Sequence, residues 1–166
     1  MGYERITVDS IAARAHASKA TMYRRWPGKA ELVADALRRH AQGDAPSIPN
    51  TGSLRGDLLA TAGEIAETLT GLTGPSLIGL LEAIRDDATL RDLIASQVRE
   101  RSHEVGRTIC SRAKARGDAI RVDRSELVVD VAFARVFTDT LFHGRIPESS
   151  TQEQLVDEIL IPLLRA

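Results

Sequence analysis

Residues 7–37 read TVDSIAARAHASKATMYRRWPGKAELVADAL, and the fold turns on how this stretch is parsed. Thr7 is a good N-cap for a short helix whose Val8, Ile11, Ala12 and Ala15 form the inner face. His16-Ala17 makes a brief turn into Ser18, a second N-cap, which opens a helix from Lys19 to Trp26. Two short helices joined by so tight a turn define a helix-turn-helix. Alanines at 12, 15 and 20 allow the helix backbones to approach closely. The second helix then projects Lys19, Thr21, Tyr23 and Arg24, while Trp26 seals its end into the core. Hydroxyls and a tyrosine reach phosphates or base edges, and the cations add electrostatic affinity, so the set suits entry into a DNA groove. Lys29 follows Pro27-Gly28 near the start of the next helix, where a backbone phosphate is within reach. A purely structural role also fits Tyr23 and Trp26, and a solvated one fits Arg25.

Charge is distributed in the same sense. The 166-residue chain carries a net charge of −1, but residues 1–40 hold eight basic and four acidic side chains, a net +4. The remaining 126 residues hold fourteen basic and nineteen acidic ones, a net −5. A basic head on an acidic body points to an anionic partner for the head alone. Chance clustering on a solvated face explains the numbers as well.

Outward from the motif, glycine and proline cut the chain into helix-length pieces, at residues 43–52, 71–75, 117–122 and 144–147. Between the breaks, apolar residues recur at helical spacing. Leu58, Leu59, Ala62, Ile65, Ala66 and Leu69 make one such set, and Leu77, Leu80, Leu81 and Ile84 another. Leu90, Leu93, Ile94, Val98, Val105 and Ile109 continue a longer helix up to Gly117. Strand-like alternation is confined to Ala119-Ile120-Arg121-Val122. The fold class is all-α, with a head over residues 1–42 and a helical body over 53–166.

Two late segments bear on assembly. From Leu127 to Phe142 the apolar residues cover almost the whole helix circumference, which requires burial on both sides. The stripe Leu155, Val156, Ile159, Leu160, Leu163 and Leu164 is single-faced, and Pro162 bends or ends its last turn. The pair suits half of a four-helix interface in a homodimer, through Leu127–Phe142 and Leu155–Leu164. An ordinary intrachain core is the alternative.

The head strongly resembles the TetR family of bacterial transcriptional repressors. The resemblance is carried by the threonine-led helix with Ile11-Ala12 and Ala15, by Ser18-Lys19-Ala20-Thr21-Met22-Tyr23, and by Trp26-Pro27, Lys29, Glu31 and Leu32. It implies a helix-turn-helix head followed by helices that enclose an effector pocket and dimerise through the last two. It further implies that Lys19, Thr21 and Tyr23 face the major groove and that Thr7, Ser18, Tyr23, Arg24 and Lys29 hold the phosphate backbone of a double-stranded operator. On that architecture, Leu59, Ala62, Ile65, Leu81, Ile84, Ile94, Val98, Phe133 and Phe137 are candidates for the pocket wall, and each fits plain core equally well. With six aromatic residues in the chain, a small apolar effector suits better than a flat, stacked one.

Two departures from the family pattern stand out. The turn usually reads Gly-Val-Ser and here reads His16-Ala17-Ser18, so a positive φ at residue 16 would cost stability. Met1-Gly2-Tyr3-Glu4-Arg5 also leads straight into Thr7, so the three-helix head is expected to lack its first helix, through a late-assigned start or a truncation. Ile6, Val8, Ile11, Ala12 and Trp26 would then lose part of their cover.

Other chemistry finds little footing. No Gly-x-Ser-x-Gly elbow, phosphate-cradling glycine loop or His-Glu-x-x-His pair occurs. His103 and Cys110 share a helix face but lack a clear third ligand, so neither a metal site nor a cofactor is expected. Asp86-Asp87 suits the cap of a following helix, and His143 a helix C-terminus or the dimer seam. No apolar run reaches the ~20 residues of a membrane helix, residues 1–10 lack the apolar stretch expected of a secretory signal, and a single cysteine fits a reducing cytoplasm. The reading is a ligand-responsive repressor on a near-palindromic operator, not an enzyme. Its rival is a truncated helical dimer that binds ligand or heterodimerises without touching DNA. The two differ in salt dependence, which only phosphate contacts make steep.

Overall fold

The structure, a computed structural model, describes residues 3–42, 47–70, 75–143 and 147–165. Of the expected chain breaks, residues 43–46, 71–74 and 144–146 lie outside the described residues. Among those described, the ordered elements are helical and no strand occurs. They form two compact units, residues 1–45 with 74–97, and residues 46–73 with 98–166. The sequence division at 1–42 and 53–166 follows the chain, whereas these units assign residues 74–97 to the head.

In the first unit, a 3-10 turn over Tyr3–Arg5 precedes α1 (Val8–Arg14), α2 (Lys19–Arg25) and α3 (Lys29–Gln42). Thr7 caps α1 reciprocally: its Oγ1 accepts from the Ser10 N–H at 3.0 Å, and Ser10 Oγ accepts from the Thr7 N–H at 3.1 Å. The far end of α1 closes with the Ala17 N–H on the Ala12 carbonyl and the His16 N–H on that of Ala13. That pairing is the Schellman motif, and it puts His16 at the position where glycine is usual, with φ +51°. The same motif ends the long helix of the body, where Gly117 takes the equivalent place at φ +94°.

Val8, Ala12, Met22 and Leu32 form the core of the head, with Ile11, Ala17 and Trp26 packed on it. The expected loss of cover therefore spares Val8 and Ala12, which are fully buried, while Ile6, Ile11 and Trp26 are half-buried. Of the three alanines expected to bring the backbones together, Ala12 is buried and Ala15 and Ala20 are exposed. Helix α3 has a second inner face. Ala30 and Ala34 pack with Ala83 of α5 (Pro75–Asp86) and Leu90 of α6 (Ala88–Ala115), joined by Tyr3, Val33, Leu93 and Ile94. Asp87 stands between those two helices and accepts the Leu90 N–H at 3.0 Å, the cap expected there.

The second unit is one apolar core. Leu54, Leu58, Ala62, Ala66 and Leu69 give α4 (Leu54–Thr70) a buried stripe, met by Val105, Ile109, Cys110 and Ala113 of α6. Val128, Val129, Ala132 and Val136 come from α7 (Ser125–His143), and Leu155, Val156, Leu160 and Leu164 from the C-terminal helix. Gly106 lets α6 and α7 touch, because a Cβ there would stand 1.9 Å from the Ser125 carbonyl oxygen. Fully buried Asp57 accepts from Thr51 and from Arg116, and Arg112 donates to the Ile48 and Pro49 carbonyls. These bonds tie the segment before α4 to α6.

The C-terminal helix runs as α8 (Ser149–Gln154), a π-helical stretch (Leu155–Leu160) and α9 (Ile161–Arg165). Pro162 does not end it. Proline removes one N–H and crowds the preceding turn, and widening that turn by one residue accommodates both effects. The Ile161 N–H accordingly reaches back to the Val156 carbonyl. The short alternating stretch is not a strand: Arg121 hydrogen-bonds the Leu164 carbonyl through its N–H at 2.7 Å, and residues 122–124 coil into a 3-10 turn.

The left-handed backbone at His16 gives a direct test. An L-residue there costs ~1–2 kcal/mol, partly offset by the greater unfolded-state freedom of glycine. His16→Gly should raise stability by about 0.5–1 kcal/mol, a rise in Tm of ~1–4 °C in thermal unfolding. A lowered Tm contradicts the strain at this turn.

Candidate nucleic-acid interface

Helix α2 has seven residues, and Met22 is the one it buries. Lys19, Ala20, Thr21, Tyr23, Arg24 and Arg25 are all exposed, Tyr23 to 46% despite its apolar ring. The Tyr23 ring therefore lies outside the core of the head, on a surface that also carries hydroxyl and cationic side chains. Ser18 occupies the N-cap position of α2 without a side-chain capping bond. Thr7 is exposed and uses its oxygen as an acceptor within the capping box.

Two of these side chains converge on one carboxylate that the sequence reading passed over. Asp9, in the first turn of α1, takes the Lys19 ammonium at 2.5 Å on Oδ2 and the Tyr23 hydroxyl at 3.3 Å on Oδ1. Thr7 caps that same turn. The Lys19 hydrogen bond holds the Asp9 carboxyl below its ordinary value, and Lys19 is raised in return. Contact across the helix-turn-helix is invisible to periodicity. The one available signal was that Asp9 is the sole acidic residue between Arg5 and Ala30.

Lys29 is placed differently. It begins α3, half-buried, with its ammonium 3.9 Å from the centre of the Tyr3 ring and 3.3 Å from the Tyr3 carbonyl oxygen. The Tyr3 hydroxyl in turn donates to Asp87 at 2.7 Å. Burial first, and then the hydrogen bond to Asp87, raises the Tyr3 hydroxyl well above its usual range. Asp87 is lowered, chiefly by the Leu90 N–H and next by Tyr3.

Trp26 closes α2 as expected. It is half-buried, and its indole N–H donates to Asp35 at 3.1 Å, with the Arg25 guanidinium 4.9 Å over the ring. Asp35 also accepts from Arg38 and from Arg39. Burial opposes its charge, but the bonds from Arg38, Arg39 and Trp26 outweigh burial and hold the carboxyl at about 2.

The apolar candidates for an effector wall fall into separate groups. Ala62 is fully buried core, and Leu59, Ile65, Phe133 and Phe137 are half-buried at the edge of that core. Phe133 and Phe137 stack with ring centres 5.8 Å apart. Val98 is half-buried in the same unit, while Leu81, Ile84 and Ile94 belong to the first unit, Leu81 exposed. Cys110 is buried, which pushes its thiol up to about 11, and His103 meets Glu126 at 3.2 Å. The pair therefore has separate surroundings despite its shared helix. His143 ends α7, its ring nitrogen 3.0 Å from the Asp139 carbonyl.

This geometry is that of a helix-turn-helix DNA-binding head carried on a helical body. Residues 1–36 match the family model for bacterial regulatory proteins of the tetR family, and residues 48–159 match the model for a tetracyclin repressor-like C-terminal domain. The chain belongs to the TetR family: it is a ligand-responsive, DNA-binding transcriptional repressor. It is 39% identical over 165 residues to a protein of Mycobacteroides abscessus named DNA-binding transcriptional repressor TetR, covering 99% of this chain and 86% of that protein. An uncharacterized HTH-type transcriptional regulator of Mycobacterium tuberculosis is 34% identical over 163 residues, 98% of this chain and 80% of its own length. One from Bacillus subtilis is 27% identical over 155 residues, 93% and 78% respectively. The expectation of a missing first helix is not confirmed, since the DNA-binding model is matched from residue 1. No described helix is long and apolar enough to cross a membrane.

Asp35 makes the head sensitive to acid. A carboxyl near 3.9 in the unfolded chain and about 2 in the folded one stabilises the fold above the first value, and loses that contribution as pH falls through the second. Asp35→Asn should cost roughly 1 kcal/mol at neutral pH, given half-exposed guanidinium partners. The deficit should vanish between about pH 4 and pH 2. Urea unfolding followed by the fluorescence of Trp26, the only tryptophan, measures it; a deficit independent of pH contradicts the assignment.

Proposed function

We propose that the chain binds a near-palindromic double-stranded operator as a homodimer and releases it when a small apolar effector occupies the C-terminal domain. The observation that carries the DNA half is the face of α2, which buries Met22 and leaves every other side chain to solvent. In this reading Lys19, Thr21 and Tyr23 enter the major groove. Thr7, Ser18, Tyr23, Arg24 and Lys29 take phosphates, with Ser18's uncommitted capping hydroxyl suited to that role. Two heads then meet half-sites about one helical turn apart, or a multiple of it.

Dimerisation rests on α7 and the C-terminal helix. Leu127, Phe142 and Ile159 are exposed to 49%, 77% and 45%, although their helices also supply the body's core. Burying such side chains against a second copy is the ordinary solution. For the effector we favour an apolar wall that includes Leu59, Ile65, Phe133 and Phe137, whose half-buried edges differ from the fully packed Ala62. The remaining sequence candidates, Val98, Leu81, Ile84 and Ile94, stay with the proposal as secondary. Effector binding shifts the dimer population toward a form that no longer fits the operator. The functional division is residues 1–42 for DNA and 53–166 for effector and dimer, and the protein works in the cytoplasm as a regulator rather than an enzyme.

The rival, a helical dimer without DNA binding, drew its support from an uncovered head, and Val8 and Ala12 are covered. An intact mass of the natural gene product equal to this sequence would exclude a late-assigned start.

Selection of genomic fragments at two salt concentrations tests the DNA half. A palindrome-like site should emerge, weaken steeply with salt, and lose at least ~10-fold in affinity on Tyr23→Ala. Failure to recover any site favours the rival. Leu127→Asp combined with Phe142→Asp should convert the dimer to monomer in light scattering, and operator affinity should fall with it. A dimer that survives both changes places the interface elsewhere.

A further inference from the structure

We propose that Asp9 is the specificity-determining residue of the DNA-binding face, a carboxylate that occupies Lys19 and Tyr23 until base-matched groove contacts replace it. The inference rests on the reading that α2 faces DNA. Between Arg5 and Ala30 the chain carries Arg5, Arg14, Lys19, Arg24, Arg25 and Lys29, and Asp9 is the one acidic side chain among them. It does not point away from the basic surface. Lys19 and Tyr23 lie one turn apart on α2, and Asp9 reaches both, at 2.5 and 3.3 Å.

Stability does not account for the arrangement. The Asp9 and Lys19 side chains are 46% and 66% exposed, and an ion pair so open to water contributes little to folding. Its effect falls on association. A lysine already neutralised by a carboxylate releases no counterion on meeting a random phosphate, and the carboxylate itself repels the DNA backbone. Non-specific complexes therefore lose one contact per subunit and gain a repulsion. On the operator, Lys19 exchanges the carboxylate for base acceptors in the major groove, and Tyr23 for a phosphate or base edge, so the loss is recovered. Discrimination through a group that penalises the wrong partner is a general route to specificity. The same carboxylate holds the two side chains over adjacent turns of α2, so they are already ordered when the groove arrives.

The experiment compares binding to a recovered operator fragment and to a duplex of the same length and composition in scrambled order. It uses the full chain, Asp9→Asn, Lys19→Gln and the double variant, each across a salt series, with helix content checked by circular dichroism. Asp9→Asn should bind the scrambled duplex about 10-fold more tightly, with a log–log salt slope steeper by about one per subunit. The ratio of operator to scrambled affinity should fall by a similar factor. In the Lys19→Gln background the same change should have a smaller effect, the part due to the carboxylate's own repulsion of the backbone, because its larger action is through the lysine. A ratio unchanged by Asp9→Asn overturns the proposal, as does an equal effect with and without Lys19. No operator selectivity in the unmodified chain overturns the DNA reading itself and this inference with it.

Discussion

A helix of seven residues cannot hold itself together in water, and everything the head does depends on one methionine that anchors it. Met22 packs with Val8 and Ala12 of α1 and Leu32 of α3, while Trp26 closes the end of α2 and hydrogen-bonds Asp35 on α3. With the anchor on one side and the seal at the end, the remaining positions carry no packing duty. That freedom allows lysine, threonine, tyrosine and arginine to share a single surface. The anchor in turn depends on α3, which presents Leu32 to the helix-turn-helix and Ala30 and Ala34 to Ala83 and Leu90. Small residues on that second face let α5 and the start of α6 approach closely, so the recognition helix and residues 74–97 belong to one unit.

The charges of the head divide by depth. Asp35 is mostly enclosed, and its carboxylate orders Trp26, Arg38 and Arg39 at the back of the motif. Asp9 is half exposed at the front and orders Lys19 and Tyr23. The first acts on folding, through a depressed ionisation, and the second on what the folded head tolerates at its surface. Between them, Lys29 is held by the ring and carbonyl of Tyr3, whose hydroxyl is committed to Asp87. Asp87 also starts α6. A proposed phosphate contact is thus two hydrogen-bonding steps from the N-terminus of a 28-residue helix that supplies the body with Val105, Ile109 and Ala113.

What the sequence made legible was local and periodic. Thr7 announced a cap, residue 16 a turn, Asp87 a helix start and Gly117 a helix stop, because each role requires a particular side-chain length or backbone conformation within a few residues. The turn at His16 was legible even where its residue broke the pattern, since the Schellman geometry fixes a positive φ whichever side chain is present. Contacts between distant positions were not legible. Nothing in the spacing of Tyr3 and Asp87, 84 residues apart, indicates a hydrogen bond. The same holds for Asp9 against Tyr23, where the pairing depends on the crossing of two short helices. Ala15 and Ala20 misled because a small apolar residue suits a helix contact and an open face equally, and composition cannot choose. Pro162 misled for a different reason: the rule that proline stops a helix assumes i→i+4 bonding, and the chain changes to i→i+5 before it.

The all-round apolarity of α7 can now be resolved by face. Val128, Val129, Ala132 and Val136 are consumed by the body's own core, and Phe133 and Phe137 stack at its edge. Leu127 and Phe142, at opposite ends of the same helix, are left in water. An exposed phenylalanine gains nothing from solvent, so a second copy covering these ends would bury apolar surface that intrachain packing leaves out. Ile159 on the C-terminal helix repeats the pattern, one apolar side chain outside an otherwise buried stripe of Leu155, Val156, Leu160 and Leu164. What recommends this face for a second copy is the apolar surface left over once intrachain packing is subtracted. Ile78 and Leu81 of α5 are exposed as well but belong to the first unit, so among the described residues of the second unit the large exposed apolar side chains fall on these two helices.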